Sequence, residues 1–271
     1  KSHISDGAAL TKFLFWIKNT NMKPITEVQA QNKLEKFRKQ NKNYLYPSFD
    51  TIAGSGHNGA IIHYKSTKLS NRKLKKNDIL LIDSGGQYKW GTTDVTRTIC
   101  LGKIQNSVKN NFTRVLKGHI AVINCNLKNN FNGYLVDKLA RKFLNKVGLD
   151  YSHGTGHGVG FFLNVHEGPQ AISKYNKVNL KKGMVLSNEP GYYLRNQYGI
   201  RIENLIYVDS LKGNLFFKNF TLSPIDLDMI NFKLLSIKER DYLFNYHLDV
   251  YSKISKYLNK NEKKWLISLI K

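Results

Sequence analysis

The sequence contains few cysteines, few prolines and few acidic residues. Its 271 residues include 2 cysteines and 5 prolines. Cys100 and Cys125 lack the paired spacing of a zinc or redox motif, so we expect structural thiols in a reducing compartment. No linker rich in proline or serine divides the chain, which favours one domain over two. No run approaches the ~18 apolar residues of a membrane span, so no membrane partner is expected.

The shortage of acids leaves a strongly basic chain, with 43 Lys+Arg against 19 Asp+Glu and a net charge of +24. Such a balance invites a nucleic-acid interpretation. The lysines are nevertheless spread in short clusters, without the blocks of five or six like charges that are typical of interaction tails. We therefore expect a solvated lysine-rich surface and no nucleic-acid partner. Hydrophobic residues make up 41%, which excludes a mainly disordered chain. Because Lys1 is preceded by no methionine or signal sequence, we expect a segment of a longer protein.

Hydrophobic spacing predicts an α+β fold with two similar halves. Helical and β-type patterns come in blocks, which differs from the strict alternation of a parallel α/β sheet. Thr26 and Gln29 form a capping-box pattern, which predicts the start of a helix. Helices are predicted at 5–18, after Thr26, at 105–127, at 133–147 and in the tail at 235–267. Short β runs are predicted at 60–64, 79–82 and 92–101, and a second glycine-rich β segment at 153–208.

Two aspartates of the first half follow or interrupt β runs. Asp83 ends the apolar run 79–82, and a carboxylate buried there alone would cost free energy. Asp94 lies a short distance further along, beyond the glycines at 85, 86 and 91. The two strands could therefore fold side by side and bring both carboxylates together. The alternative for either residue alone is a turn or capping aspartate.

Two glutamates repeat this theme in the second half. Glu189 follows the segment MVLSN at 184–188 and precedes the turn Pro190-Gly191. Glu203 lies within a second β run, where strand alternation places it on the same face as Arg201. A glutamate in such a run is not expected to be simple solvated surface. A structural ion pair between Glu203 and Arg201 is the alternative.

The histidines divide into two groups. The glycine-rich segments hold five of the eight: His57, His63, His153, His157 and His166. His153 and His157 are four apart, but the intervening glycines exclude a zinc pair on a helix. An extended strand would also place both on one face, with one as a ligand and the other as a pocket neighbour. Structural roles are expected for the three in helical segments: His3, His119 and His247.

Two aspartates, two glutamates and one histidine form a hard, oxygen-rich ligand set. That composition suits a pair of borderline divalent ions, Mn²⁺, Co²⁺ or Zn²⁺, better than one tetrahedral zinc. Two ions about 3.5–4 Å apart can activate water and stabilise a tetrahedral intermediate. The chemistry implied is hydrolysis.

Several long motifs, in order, resemble aminopeptidase P, the Xaa-Pro aminopeptidase of the pita-bread metallopeptidase superfamily. They are IDSG at 82–85 with GTTDVTRT at 91–98, HGTGHGVG at 153–160, NVHEGP at 164–169, and NEPGYY at 188–193 with GIRIEN at 199–204. The resemblance runs from about Ile4 to about His247, and its tail looks like the cytosolic, three-domain type.

That resemblance implies a pita-bread fold, in which two pseudo-symmetric halves enclose a curved antiparallel sheet flanked by helices. It implies a single catalytic domain over residues 1–271, with a C-terminal extension from about 221 to 271. By the same resemblance, we expect the family's N-terminal domains to be absent from this sequence. A cytoplasmic location and a homodimer are expected by the same resemblance.

The resemblance also implies roles for individual residues. The matched ligands of two metal ions, usually Mn²⁺, are Asp83, Asp94, His157, Glu189 and Glu203. Asp94 and Glu203 would bridge the ions, and Glu189 would be the general base. His63 and His166 match substrate-side catalytic histidines, His153 matches a histidine lining the substrate pocket, and Arg201 matches an active-site arginine.

The implied substrate is a peptide with proline in second position, from which the N-terminal residue is released. An Xaa-Pro dipeptidase, or prolidase, is the nearest alternative. A pita-bread pseudoenzyme that binds nucleic acid or histones is the other, and the charge of +24 keeps it under consideration. All five matched ligand positions are retained, which favours an enzyme.

Overall fold

Helices occur in two pairs, one in each half of the chain, followed by a third pair in the tail. The computed structural model describes residues 1–20, 24–126 and 131–270. In chain order the α-helices are α1 (Ser2–Asn19), α2 (Glu27–Arg38), α3 (Asn106–Ile123), α4 (Gly133–Asn145), α5 (Ile237–Ile254) and α6 (Lys260–Ser268). Short 3₁₀ helices cover Gly56–Ala60, Leu227–Met229, Phe232–Leu234 and Ser255–Tyr257. The predicted capping box forms, because Thr26 and Gln29 bond each other's backbone amides at the start of α2.

The strands pair in antiparallel fashion throughout the described residues. They are β1 (Tyr44–Pro47), β2 (Ile52–Ser55), β3 (Ile79–Ser84), β4 (Gly86–Tyr88), β5 (Gly91–Thr92), β6 (Val95–Cys100), β7 (Gly156–His157), β8 (Ala171–Ile172), β9 (Val185–Asn188), β10 (Gly191–Leu194), β11 (Tyr198–Arg201), β12 (Asn204–Leu211) and β13 (Asn214–Asn219). Their orders are β1-β4-β5, β2-β3-β6, β7-β8, β10-β11 and β13-β12-β9.

Each half joins a helix pair to a three-stranded sheet. In the first half, Phe13 of α1 and Leu34 of α2 pack in one core with Ile82 of β3. In the second half, Val136 of α4 packs with Ile206 of β12 and with residues of α3 and β9. Burial of these apolar faces is the main stabilising contribution to each half. The predicted α+β fold with two similar halves is confirmed.

The two halves meet along β6 and the segment between β11 and β12. Thr98 Oγ1 accepts a hydrogen bond from Arg201 N and donates one to Arg201 O, both at 3.0 Å. Thr96 O accepts from Glu203 N at 3.1 Å. Arg97 is buried, and its guanidinium donates to Glu203 O at 2.6 Å and to Asn204 Oδ1 at 2.8 Å. These bonds fix the seam where the second-half glutamate approaches the first-half aspartates.

Three predicted elements differ from the structure. A strand is predicted at 60–64, but the 3₁₀ helix Gly56–Ala60 and an irregular segment follow β2 instead. The run around Glu203 is broken, since β11 ends at Arg201 and β12 begins at Asn204. The helix predicted at 105–127 ends at Ile123, and residue 127 lies outside the described residues.

The tail packs against the body of the protein. Val250 of α5 and Leu266 of α6 lie in the same apolar cluster as Leu116 of α3. His247 is fully buried, accepts a hydrogen bond from Ile225 N at Nε2 (3.0 Å), and has Nδ1 3.0 Å from Leu269 O. In the described parts of the chain, no helix is both long enough and apolar enough to cross a membrane.

The burial of His247 predicts that the folded protein loses stability in acid. Burial lowers its pKa to about 4, from 6.5 when unfolded. Its contribution is therefore present above pH 6.5 and is lost as the pH falls towards 4, because unfolding takes up a proton. At pH 5 the loss amounts to about 2 kcal/mol of the free energy of unfolding.

We expect His247→Gln, which can still accept and donate but does not titrate, to make the decline in stability between about pH 7 and pH 5 less steep by about 2 kcal/mol at pH 5. Urea unfolding at each pH measures the slope. The matched control is His57→Gln at an exposed position, which should leave the slope unchanged. Equal slopes for the wild type and His247→Gln would contradict the assignment.

Candidate functional site

A cavity of about 490 Å³ lies at the seam between the two halves. All nine site residues predicted from the sequence line it: His63, Asp83, Asp94, His153, His157, His166, Glu189, Arg201 and Glu203. Apolar side chains form another part of its wall, namely Phe49, Ile52, Ile62 and Val165. The structure therefore brings together residues from distant parts of the chain.

The carboxylates lie at or near the ends of strands. Asp83 is the penultimate residue of β3 and pairs in register with Thr96 of β6. Asp94 immediately precedes β6, Glu189 follows β9, and Glu203 precedes β12. The break between β11 and β12 thus falls at Glu203. Each half of the fold contributes two carboxylates to one cavity.

His157 is in contact with carboxylates from both halves. Its Nε2 atom lies 3.4 Å from Asp94 Oδ2 and 3.3 Å from Glu189 Oε1. Donor atoms of Asp94, His157 and Glu203 all lie within 4.8 Å of one another. His153 does not share a strand with His157, since β7 covers only Gly156–His157, but both side chains line the cavity.

Arg201 forms its ion pair with Asp83 and not with Glu203. Arg201 Nη2 donates to Asp83 Oδ2 at 2.6 Å, and both side chains are largely buried. Its other nitrogens donate to Tyr193 OH at 2.6 Å and to Thr96 Oγ1 at 3.1 Å. The alternative role for Glu203 was a structural ion pair with Arg201. The structure instead pairs Arg201 with Asp83.

Burial of several acids in one place changes their proton affinity. Burial, followed by the charges of Asp94 and Glu189, raises the pKa of Glu203 well above its usual value. Burial also raises the pKa of Asp94, and that of Glu189 to about 7. Burial lowers the pKa of His157, but its hydrogen bond to Asp94 and the charge of Glu189 outweigh burial and raise it to about 9. The cluster holds more negative charge than its protein partners neutralise.

These residues fit divalent cations. The carboxylate oxygens and one imidazole are a donor set that Mn²⁺, Co²⁺ or Zn²⁺ can accept. Asp83 Oδ1 is buried and has no hydrogen-bond partner among the described residues. A bound cation would give that oxygen a partner and would offset the repulsion that raises the pKa of Glu203.

For His153 and His166, a lowered pKa favours the neutral imidazole. Burial and then the charge of Arg201 lower the pKa of His153 to about 3, and its Nε2 lies 2.8 Å from Tyr193 OH. Burial and then the charge of His157 lower the pKa of His166. The rings of His157 and His166 are 3.9 Å apart between centroids. A neutral imidazole can donate one hydrogen bond and accept another.

Several supporting residues are not predicted from the sequence. Tyr193 bridges Arg201 and His153, and Ser187 Oγ donates to Glu189 Oε1 at 2.9 Å. Tyr193 lies within the NEPGYY motif, which was the available signal for it. Ser187 precedes that motif by one residue, and only the three-dimensional register shows that its hydroxyl reaches Glu189. His119 is structural as expected, with Nδ1 3.1 Å from the main-chain oxygen of Asn188.

Comparisons with known proteins agree with this geometry. The chain is 44% identical over 281 residues to a probable Xaa-Pro aminopeptidase P of Laccaria bicolor, covering 98% of this chain and 44% of that protein. It is 45% identical to Aminopeptidase P2 of Arabidopsis thaliana, covering 98% of this chain and 39% of that protein. The chain therefore spans less than half the length of these relatives.

Solved structures share the fold. The X-prolyl aminopeptidase of Caenorhabditis elegans, described as a cytosolic enzyme with a di-nuclear active site, has a TM-score of 0.95 and 38% identity. The match covers all of this chain and 46% of that one. A prolidase from Thermococcus sibiricus has a TM-score of 0.72 and 30% identity, covering 83% of this chain and 59% of that one. The pita-bread architecture expected from the sequence is confirmed by these neighbours.

The family assignment follows from the sequence profile together with the fold. Residues 1–210 match metallopeptidase family M24, and residues 213–270 match the C-terminal region of peptidase M24. The four carboxylates and His157 lie within the first of these segments. This chain belongs to metallopeptidase family M24.

Proposed function

We propose that this chain is the catalytic part of an Xaa-Pro aminopeptidase, which releases an N-terminal residue that precedes proline. The observation that carries the proposal is the convergence of four carboxylates and His157 in one cavity. The named relatives, Xaa-Pro aminopeptidases P at 44% identity, indicate the substrate class. The complete ligand set argues against a pseudoenzyme that binds nucleic acid or histones.

Five residues would hold two divalent ions, for which we propose Mn²⁺: Asp83, Asp94, His157, Glu189 and Glu203. The Caenorhabditis elegans enzyme has a di-nuclear active site, and its similarity to this chain supports two ions here. When bound, such a pair polarises a carbonyl and lowers the pKa of water, so that hydroxide is available near neutral pH.

Glu189 would act as the general base. Its main-chain amide donates to Thr155 O at 2.7 Å, and its Oε1 accepts from Ser187 Oγ at 2.9 Å. These two bonds orient the carboxylate in the cavity. Glu189 would accept a proton from the attacking water and transfer it to the leaving nitrogen of proline.

Three histidines would contact the substrate. His63 and His166 line the cavity and would donate hydrogen bonds to the scissile carbonyl oxygen as negative charge develops on it. His153 lines the same cavity and is oriented by Tyr193 OH, which also contacts Arg201. Arg201 in turn orients Asp83 through their 2.6 Å ion pair.

The wall of the cavity suits proline. Phe49, Ile52, Ile62 and Val165 present apolar surface against which a pyrrolidine ring can be buried. The nitrogen of an Xaa-Pro bond carries no hydrogen, so a peptidase that depended on donation from that N–H would fail. Recognition through the carbonyl oxygen requires no such donor.

The engagement of Arg201 favours an aminopeptidase over a dipeptidase. Arg201 is the arginine among the described residues that line the cavity. Its nitrogens donate to Asp83, Tyr193 and Thr96. A dipeptide would place its terminal carboxylate in the cavity, where this guanidinium is already engaged. A longer peptide places only a neutral amide there.

We also propose a cytoplasmic location and a homodimer. The Caenorhabditis elegans structure is described as that of a cytosolic enzyme. Both cysteines, Cys100 and Cys125, are free and buried, which suits a reducing compartment. Residues 1–271 would form one catalytic domain, with residues from about 221 to 271 as its C-terminal extension.

The substrate class can be tested with two peptides. We expect an Xaa-Pro-Xaa tripeptide to be cleaved in the presence of Mn²⁺ and not in the presence of a chelator, and an Xaa-Pro dipeptide to be cleaved poorly. Release of the N-terminal residue by the full-length protein is the measurement. Cleavage of the dipeptide alone would favour a prolidase, and no metal-dependent cleavage of either would remove the enzyme assignment.

The ligand set can be tested with Glu203→Gln. Loss of one charged ligand should lower kcat/KM by more than about 100-fold, because the metal pair is no longer held. Thermal unfolding supplies an independent readout, since a ligand that binds only the folded state raises Tm. We expect Mn²⁺ to raise the Tm of the wild type and to raise that of Glu203→Gln much less. Equal shifts in Tm would show that Glu203 does not bind metal.

A further inference from the structure

Glu27, at the start of α2, is an acid outside the cavity whose side chain is fully buried. We infer that it is a positioning residue, which fixes the segment 55–72 and thereby places His63 in the cavity. The inference rests on the proposed role of His63 as a substrate-side histidine. Glu27 itself is not among the residues that line the cavity.

The carboxylate of Glu27 is the centre of a hydrogen-bond network. Its Oε1 accepts from Ser55 N at 2.7 Å, and its Oε2 accepts from Arg72 N at 3.0 Å and from Tyr64 OH at 2.8 Å. Asn58 Nδ2 lies 3.1 Å from both oxygens. Hydrogen bonds to an ionised acceptor are stronger than those between neutral groups.

These partners span the whole segment that carries His63. Ser55 and Arg72 are its two ends, and Tyr64 directly follows His63 in the sequence. The 3₁₀ helix Gly56–Ala60 is the only regular element described within it. Residues 61–72 are described without a strand, so no hydrogen bonds between strands hold their backbone. The hydrogen bonds to the carboxylate of Glu27 restrain this part of the chain instead.

The donors to Glu27 are neutral groups. The neighbouring guanidinium of Arg72 is directed elsewhere, to Ser55 O at 2.7 Å and to Asp78 at 3.2 Å. A buried charge is stabilised only where its hydrogen-bonding capacity is filled. The four donors are the main-chain amides of Ser55 and Arg72 and the side chains of Asn58 and Tyr64, and each must stay within hydrogen-bond distance of Glu27. This requirement restricts the conformation of the segment.

Glu27 is not needed for capping α2. The capping box of that helix is formed by Thr26 and Gln29, so the carboxylate of Glu27 is free to face the loop. The loop in turn packs against the second half of the fold, where the backbone of Gly59 lies so close to Gly199 of β11 that a side chain there would collide. The segment 55–72 is thus held by Glu27 of α2 on one side and packs against β11 on the other.

The test is a double-mutant cycle with Glu27→Gln and His63→Ala. Glutamine keeps the volume but presents an NH₂ group to donors, which should shift the loop and misplace His63. A misplaced group that acts in the transition state should lower kcat by up to about 100-fold with little change in KM. In the His63→Ala background, Glu27→Gln should then cause little further loss, because the histidine that it positions is absent.

Two variants control for general damage. Glu35→Gln makes the same change in the same helix, where the carboxylate accepts from Tyr44 OH at 2.7 Å, and should leave kcat unchanged. Tyr64→Phe removes one donor to Glu27 while keeping the ring, and replaces Glu27→Gln in the cycle if the latter fails to fold. Metal stoichiometry should equal that of the wild type in every variant.

The outcomes separate the inference from the proposed function. If His63→Ala alone leaves kcat/KM unchanged, the proposed role of His63 is wrong. If His63→Ala lowers kcat/KM but the effect of Glu27→Gln is the same in both backgrounds, Glu27 does not act through His63. An unchanged kcat in both Glu27→Gln and Tyr64→Phe would likewise overturn the inference.

Discussion

The repulsion among four carboxylates in one buried cavity is the constraint to which the rest of the structure responds. Asp94 and Glu203 are 4% and 1% exposed, and the protein supplies them with little positive charge. Arg201 is paired with Asp83, and His157 lies between Asp94 and Glu189. Burying unpaired charge costs free energy, so the arrangement is favourable when cations occupy it.

The two-half architecture explains how so costly a cluster is assembled. Each half is stabilised by its own helix pair and sheet, and each brings two carboxylates to the seam at strand ends. The seam is fixed by hydrogen bonds such as those between Thr98 and the main chain of Arg201, which place the acids without involving their charges. The main-chain bonds of the seam therefore hold the acids in place, and the ion pair between Arg201 and Asp83 adds an attraction between the halves within the site.

Much of the site could be predicted from the sequence because its acids and histidines occur in long local motifs. The apolar run 79–82 predicted a strand that ends near Asp83, and β3 ends one residue after it. The break at Glu203 and the irregular segment after Ala60 could not be predicted, because both depend on partners that are distant in the sequence. Glu27 shows the reason clearly: its main-chain donors lie 28 and 45 positions away, and no local pattern indicates that it is buried.

The most direct test of the metal-binding account is anomalous X-ray diffraction from crystals of the protein grown with Mn²⁺. If the proposed ligands hold two ions, two anomalous peaks should appear in the cavity beside the carboxylates and the imidazole, namely Asp83, Asp94, His157, Glu189 and Glu203. Two peaks at these positions would support the account. The absence of manganese from the cavity, with the carboxylates paired to protein cations instead, would contradict it.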